Sequence, residues 1–344
     1  LLKHDPEVPS FNQIPCRYTP EDEPTPHFDQ FLASCMEGDH QDEMVEYLWQ
    51  LLGYCLAPTI PLHKAFVLLG DGRNGKSTYL HALRGIVGED NASSVELQHL
   101  GSSNHKFMLA SLVGKMVNIA GDLDSTSVKS TGTFKEIVGG DAIEVDVKFK
   151  PARSVRARVK LVYSTNSMPR ASDYSDGFFD RLHIVPFPNR FTGDQQDHRL
   201  EEKIASEYDA IASKAVRRVR SILEAREIIA PFPVKEQNSQ YRADQSQLRE
   251  FFSLYLQRHR DDEEFLAAKT IWESFNRHLV TEGYAAREQF DGKVLRGEIE
   301  SYMKSEGIPV RRGRGRLGSV NDTNRPQNPV RGYKGVALDS RIVV

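Results

Sequence analysis

Gly70-Asp71-Gly72-Arg73-Asn74-Gly75-Lys76-Ser77-Thr78 spaces its glycines, lysine and hydroxyl as G-x-x-x-x-G-K-[ST], a pattern suited to binding phosphate. A glycine-rich loop can turn several backbone N–H groups around anionic oxygens. The lysine then reaches the β and γ oxygens of a nucleotide, and the hydroxyl binds Mg²⁺. Two apolar runs end on polar residues as strands do at a tip. Residues 115–122 close on Asp122, a hard oxygen ligand able to support Mg²⁺, usually through water, with Asp124 as the second choice. Residues 159–166 close on Asn166, whose amide can bond a γ-phosphate or the attacking water, although Asn before Ser-Met-Pro also suits a turn. Arg181 lies between Phe178-Phe179 and the strand-like run 182–187. It can pair with an acid or reach the nucleotide of a neighbouring subunit.

These residues need elements to hold them. Ala65-Phe66-Val67-Leu68-Leu69 reads as a buried strand ahead of the loop, and residues 78–83 read as a helix whose N-terminus faces the anion. Upstream, Val45, Leu48, Trp49, Leu52 and Cys55 recur at the spacing of one helical face, and Pro58 and Pro61 stop that helix. Residues 143–147 and 154–159 alternate as two strands around Lys148-Phe149-Lys150-Pro151. A turn with two lysines and an aromatic suits a polyanion, or is simply a solvated hairpin; the flanking Arg153, Arg156, Arg158 and Lys160 favour DNA.

The chain's 344 residues allow about two domains. Charged residues make up 27% and the mean hydropathy is -0.50, with no run long enough to span a bilayer, so the expectation is a soluble, intracellular protein. Cys16, Cys35 and Cys55 form no C-x-x-C pair, which argues against a zinc site or a disulfide framework. A net charge of -3 leaves any nucleic-acid binding to local basic patches. Six prolines among acidic residues make 1–27 read as a linker, with a further domain expected before it.

Taken together and in this order, the motifs resemble those of the superfamily 3 helicases, particularly the primase-helicases of phages, plasmids and poxviruses. The matching residues are 70–78, Asn118-Ile119-Ala120-Gly121-Asp122, 134–141, Lys148-Phe149-Lys150, 164–169 and Gly177-Phe178-Phe179-Asp180-Arg181-Leu182. The resemblance implies an α/β, AAA+-like P-loop ATPase core that assembles as a ring, usually a hexamer, around one DNA strand. ATP would sit between subunits and translocation would run 3′ to 5′. It gives Lys76 and Ser77 to phosphate and Mg²⁺, Asp122 to hydrolysis, Asn166 to sensing and Arg181 to a finger, with Arg170 a weaker candidate. Lys148 and Lys150 would hold DNA phosphates while Phe149 packs on a sugar or base. Two departures stand out: Gly121 precedes Asp122 where relatives carry a second acid, and Asp180-Arg181 stands where close relatives have Arg-Arg.

Beyond 191 the chain reads as helical to about 226. Three amphipathic patterns follow, at Leu248 to Leu256, Ile271 to Leu279 and Val294 to Met303, then Arg311-Arg312-Gly313-Arg314-Gly315-Arg316 and a final apolar run. Three helices and a basic, glycine-rich hairpin outline a C-terminal winged-helix domain. Its wing arginines Arg311, Arg312, Arg314 and Arg316 could neutralise DNA phosphates, and residues 291–304 would form its recognition helix. The expected organisation is a linker 1–27, a helical segment 28–60, the ATPase core 61–195, a helical connector 196–235 and the winged-helix domain 236–344. The function expected is an ATP-dependent DNA helicase acting on single-stranded and forked DNA. Its rivals are a loader or packaging ATPase that separates no strands, a small-molecule P-loop kinase, and a DNA-binding protein with a degenerate ATP site.

Overall fold

The computed structural model describes residues 12–101, 103–121, 123, 131–147, 150–169, 176–193, 196–244, 247–261, 265–282, 299–300, 302–303, 306–315 and 330–339. Two compact units divide the chain, 1–242 and 243–344.

Pro26 sits in the first turn of α1 (Pro26–Cys35), where a missing N–H costs nothing, and α2 (Gln41–Leu56) follows it. The first unit continues with β1 (Ala65–Leu69), α3 (Lys76–Val87), β2 (Ala92–Ser93), β3 (Val117–Ala120), α4 (Gly132–Gly139), β4 (Ala142–Val147) and β5 (Lys150–Arg156). Then come β6 (Lys160–Thr165), α5 (Asp176–Phe179), β7 (Leu182–Pro186), α6 (Leu200–Ala205), α7 (Tyr208–Ala225) and α8 (Phe232–Asp244). Five strands form one sheet in the order β2-β3-β6-β1-β7, and every neighbouring pair is parallel. A parallel sheet needs cover on both faces, which is why its strands are apolar throughout. Phe66, Leu68, Val162 and Val185 point to the layer of α1, α2, α3 and α7. Their alternates Val67, Leu161, Tyr163 and Ile184 point to a second core with Phe134, Ile137 and Val145. The fold class is therefore α/β with a parallel sheet.

Strand β7 lies at the sheet edge, where backbone groups would otherwise be unpaired. Asn238 of α8 covers that edge: its amide donates to Leu182 O at 3.0 Å and accepts from Ile184 N at 2.8 Å. Tyr241 of the same helix donates to Pro169 O at 2.8 Å. The expected domain boundary at 235/236 thus falls inside a helix whose side chains are committed to the first unit. Residues 12–25 carry no helix or strand, in keeping with their prolines, yet they lie pinned along α7. Thr19 N bonds Ser213 Oγ at 2.9 Å, and Arg217 donates to the carbonyls of Thr19, Pro20 and Glu21. The carbonyls and amides that prolines leave without a ladder are met by α7 side chains.

Strands β4 and β5 pair antiparallel with Val147 opposite Lys150, so the connection is the two residues 148–149, which lie outside the described residues. Lys160, read from sequence among the basic flank of this hairpin, is instead 2% exposed. Its ammonium donates to Ala57 O and lies 5.9 Å from the Tyr54 ring centre. The start of β6 lies against the end of α2, and the lysine is consumed there. Burial pushes its pKa down to about 8.

The second unit holds α9 (Gln247–Tyr255), β8 (Leu256–Arg258), β9 (Phe265–Ala267), α10 (Ala268–Thr281), β10 (Arg312–Gly315), β11 (Val330–Lys334) and β12 (Val336–Leu338). Strands β10, β11 and β9 form an antiparallel sheet in that order, and β12 pairs with β8. Phe251, Phe252, Ile271, Phe275, Ile299, Met303 and Val336 form its core. Among the described residues, no helix is long and apolar enough to cross a membrane.

Candidate functional site

The glycine-rich loop leaves the carboxyl end of β1 and enters α3, and the backbone takes the path its glycines allow. Gly72 and Gly75 have φ of 92° and 91°, and Arg73 joins them at 54°. Gly75 is required for space as well as conformation, since a Cβ there would lie 2.4 Å from Cys35 Sγ on α1. Gly70 is hemmed in similarly: a Cβ would meet Asn74 Nδ2 at 1.9 Å and Phe187 O at 2.6 Å.

Lys76 opens α3 and is 5% exposed. Its ammonium donates to Gly70 O at 2.6 Å, Asn74 Oδ1 at 2.9 Å and Asn166 Oδ1 at 3.2 Å. The last bond joins residues 90 apart in sequence, because β6 lies beside β1 with Leu69 paired to Thr165. Thr165 fixes the turn at that tip, its hydroxyl donating to Ser167 O at 2.6 Å. The buried ammonium thus gathers oxygens from the loop and from the β6 tip beside the N-terminus of α3. Ser77 is exposed in the first turn of α3, and Asp71 and Arg73 are exposed on the loop.

A cavity of about 230 Å³ adjoins the loop, with Gly70, Asp71 and Asn74 on one side and Phe187, Arg190 and Gln237 on the other. Asn74, read with the rest of 70–78 as part of the phosphate-binding loop, also has a structural place that the motif spacing does not encode. It is 3% exposed, accepts from Lys76 and donates to Phe187 O at 3.1 Å, so it ties the loop to the residues after β7.

Arg181 does not join this group. It precedes Leu182, which pairs with Ala65 at the start of β1, whereas the loop begins after Leu69 at the other end. Strands rise about 3.3 Å per residue, so the arginine and the loop are separated by roughly 15 Å along the sheet. Its guanidinium donates to Gly177 O, and its Nε is buried without a hydrogen-bond partner among the described residues. Asn118, which opens the second motif, is wholly occupied within the fold. It accepts from Ser93 Oγ and Val95 N and donates to Val95 O, holding the chain after β2 against β3.

Asp122, Asp124, Lys148, Phe149, Arg170 and Arg316 lie outside the described residues, as does most of 291–304. Lys150 is placed by its backbone at the start of β5 and Arg314 in β10. Arg312 forms a bidentate pair with Glu300, at 2.7 and 2.6 Å, with Tyr333 Oη 3.4 Å from the same carboxylate. Arg311 is exposed beside it.

Residues 68–181 match the model of a family described as of unknown function, DUF5906. That span runs from the strand before the loop through both strand tips to Arg181. Over 153 residues, 43% of this chain, the sequence is 28% identical to a protein of Acanthamoeba polyphaga mimivirus provisionally named as the helicase L207/L206. The match spans 16% of that protein's length. Among solved structures, an A-form apo structure of the NrS-1 C-terminal region is 12% identical, covering 93% of this chain and 78% of that one with a TM-score of 0.49. An apo structure of NrS-1 residues 305–718 is 11% identical, covering 93% and 77% with a TM-score of 0.47.

Proposed function

We propose that the chain is the motor of a helicase: a P-loop ATPase of the AAA+ type that hydrolyses ATP and drives movement along DNA. The observation that carries this reading is the 3.2 Å contact between Lys76 Nζ and Asn166 Oδ1 at the carboxyl ends of adjacent parallel strands. In open α/β sheets ligands bind beyond those ends. The lysine of a phosphate loop and the amide of a second strand tip meeting there suit a γ-phosphate better than a structural turn.

In this reading the loop amides and the α3 N-terminus receive the phosphates, and Lys76 exchanges its oxygen partners for those of the β and γ groups. Asn166, released from Lys76, orients the attacking water by its amide. Mg²⁺, which Ser77 and Asp122 would hold, supplies charge that offsets the negative charge developing on the phosphate oxygens. The chain contributes position and charge, with no covalent intermediate. Arg181 cannot reach its own loop across the length of the sheet, so it serves the nucleotide of a neighbouring copy in a ring. Lys148, Phe149 and Lys150 at the hairpin tip, and Arg311, Arg312, Arg314 and Arg316 of a winged-helix unit, contact DNA. The antiparallel order β10-β11-β9 with α9 and α10 supports that second unit, while the Glu300 pair engages Arg312. The name of the mimivirus relative supports the helicase reading over the other P-loop functions.

The test is strand separation on forked DNA, with DNA-stimulated phosphate release followed in the same tube. ATP-dependent unwinding that needs a free 3′ tail is expected. Phosphate release without unwinding would transfer the reading to a loader or packaging ATPase, and no release at all would remove the motor.

A further inference from the structure

The cavity beside the phosphate loop has walls that differ in kind. Pro186, Phe187 and Pro188 line it with apolar surface, and about 230 Å³ is below the roughly 300 Å³ at which pockets for whole drug-sized ligands begin. It therefore fits a base and part of a sugar, with phosphates outside it on the loop. Three amides approach this space. Asn74 is engaged with Lys76 and Phe187 O, and Asn189 donates to Ser34 O at 2.9 Å at the end of α1. Gln237 is half-buried, lines the cavity, and has no hydrogen-bond partner among the described residues.

Its position is nonetheless set. The next residue, Asn238, holds two backbone groups of β7, and Tyr241 one turn on holds Pro169 O. These three bonds lock α8 in rotation and height, so the Gln237 side chain is delivered to the cavity by a fixed helix rather than by a loose loop. The amide is not committed to the protein, so its donor and acceptor are both available to a ligand in the cavity.

We propose that Gln237 reads the base of the bound nucleotide and selects adenine over guanine. A carboxamide offers one donor and one acceptor side by side, which matches the amino group and ring nitrogen on an edge of adenine. When the amide faces the N7 edge, adenine offers N6–H₂ and N7, whereas guanine offers two acceptors, O6 and N7, and leaves O6 opposed to the amide oxygen. Arg190, a donor-only group suited to guanine, is exposed at the cavity's mouth with no ion pair among the described residues. A hydrated side chain discriminates less than a fixed, half-buried one, so the selection belongs to Gln237. This assignment rests on reading the loop as a nucleotide site.

The experiment is calorimetric titration of the full chain with Mg²⁺ and ATP, GTP or inorganic triphosphate. The wild-type chain is expected to favour ATP. Gln237→Leu is expected to lower the ATP-to-GTP affinity ratio roughly tenfold, the scale of one bidentate base contact, with triphosphate affinity and melting temperature unchanged. Gln237→Arg is expected to turn the preference towards GTP, a gain that a merely structural residue would not produce and that needs a folded protein. Arg190→Ala leaves the ratio where it was. Equal binding of ATP and GTP by the wild type, or an unchanged ratio in both Gln237 variants, would overturn the assignment while leaving the loop intact as a phosphate site. Failure of the wild type to bind even triphosphate would overturn the loop reading and this inference with it.

Discussion

Under the proposed motor reading, Lys76 has a structural part as well as a catalytic one. Its ammonium already satisfies oxygens from three parts of the chain, so removing it frees Gly70 O, Asn74 Oδ1 and Asn166 Oδ1 to other partners while deleting the charge. Lys76→Ala is expected to lower ATP turnover at least about 10²-fold, the scale of losing one preorganised electrostatic contact, with little change in melting temperature. Phosphate release and a thermal scan on the same preparation check both halves; turnover at the wild-type rate would remove Lys76 from the site. His183, in β7, makes a different residue-scale prediction. Its Nδ1 lies 2.5 Å from Tyr47 Oη, and burial, helped by the charge of Lys64, pushes its pKa down to about 3. The unfolded chain takes up the proton near the ordinary value of 6.5 while the folded chain resists. The contribution is thus fully present above about pH 6.5 and is lost as pH falls towards about 3. At about pH 5 the loss is on the order of 2 kcal/mol. Urea midpoints for wild type and His183→Gln should converge between about pH 7 and pH 5; parallel curves would show that His183 titrates normally in the folded chain.

At the scale of elements, the glycine-rich loop depends on α1 as much as on its own glycines. Gly72 and Gly75 share a left-handed backbone, yet a Cβ at Gly72 meets nothing within 4 Å, whereas one at Gly75 strikes Cys35 and Phe31. Gly72→Ala should therefore cost only the backbone term of about 1–2 kcal/mol. Gly75→Ala should cost more, because α1 must also move, and it should weaken nucleotide binding along with stability. Denaturant titration of the two variants measures the difference, and equal losses would mean that α1 does not confine the loop. Sequence periodicity identified the loop strand and its helix because both signals are local. It could not identify α8 as the cover of β7, since Asn238 and Gln237 stand in a segment with no apolar stripe to announce what it packs against.

For the whole molecule, the distribution of the candidate site along the sheet matters most. Lys76 and Asn166 meet at one end of β1 and β6, and Arg181 stands at the other. If the ring reading holds, Arg181→Ala should bind ATP but fail to hydrolyse it. Mixing it with Asp122→Ala should restore part of the activity, because some interfaces then pair an intact loop with an intact arginine. No recovery at any mixing ratio would remove the arginine from trans action.

What the sequence determined alone was what short spacing can encode: the strand before the glycine-rich loop, the helix after it, and a pair of strands at 143–147 and 154–156, although β5 begins earlier, at Lys150, than the alternation indicated. Those are local patterns, set by backbone geometry and by which side chains reach a given face within a few residues. The tertiary structure decided which distant residues share a site. Parallel pairing of β1 with β6 brought Asn166 to Lys76, and the parallel sheet put Arg181 a strand's length away. The same packing withdrew Lys160 from the basic surface, committed Arg312 to Glu300, and brought Gln237 to the cavity beside the glycine-rich loop. None of these follows from composition or periodicity, because strand order and helix docking are settled by the burial of whole faces, and a single polar residue is carried wherever its element must go.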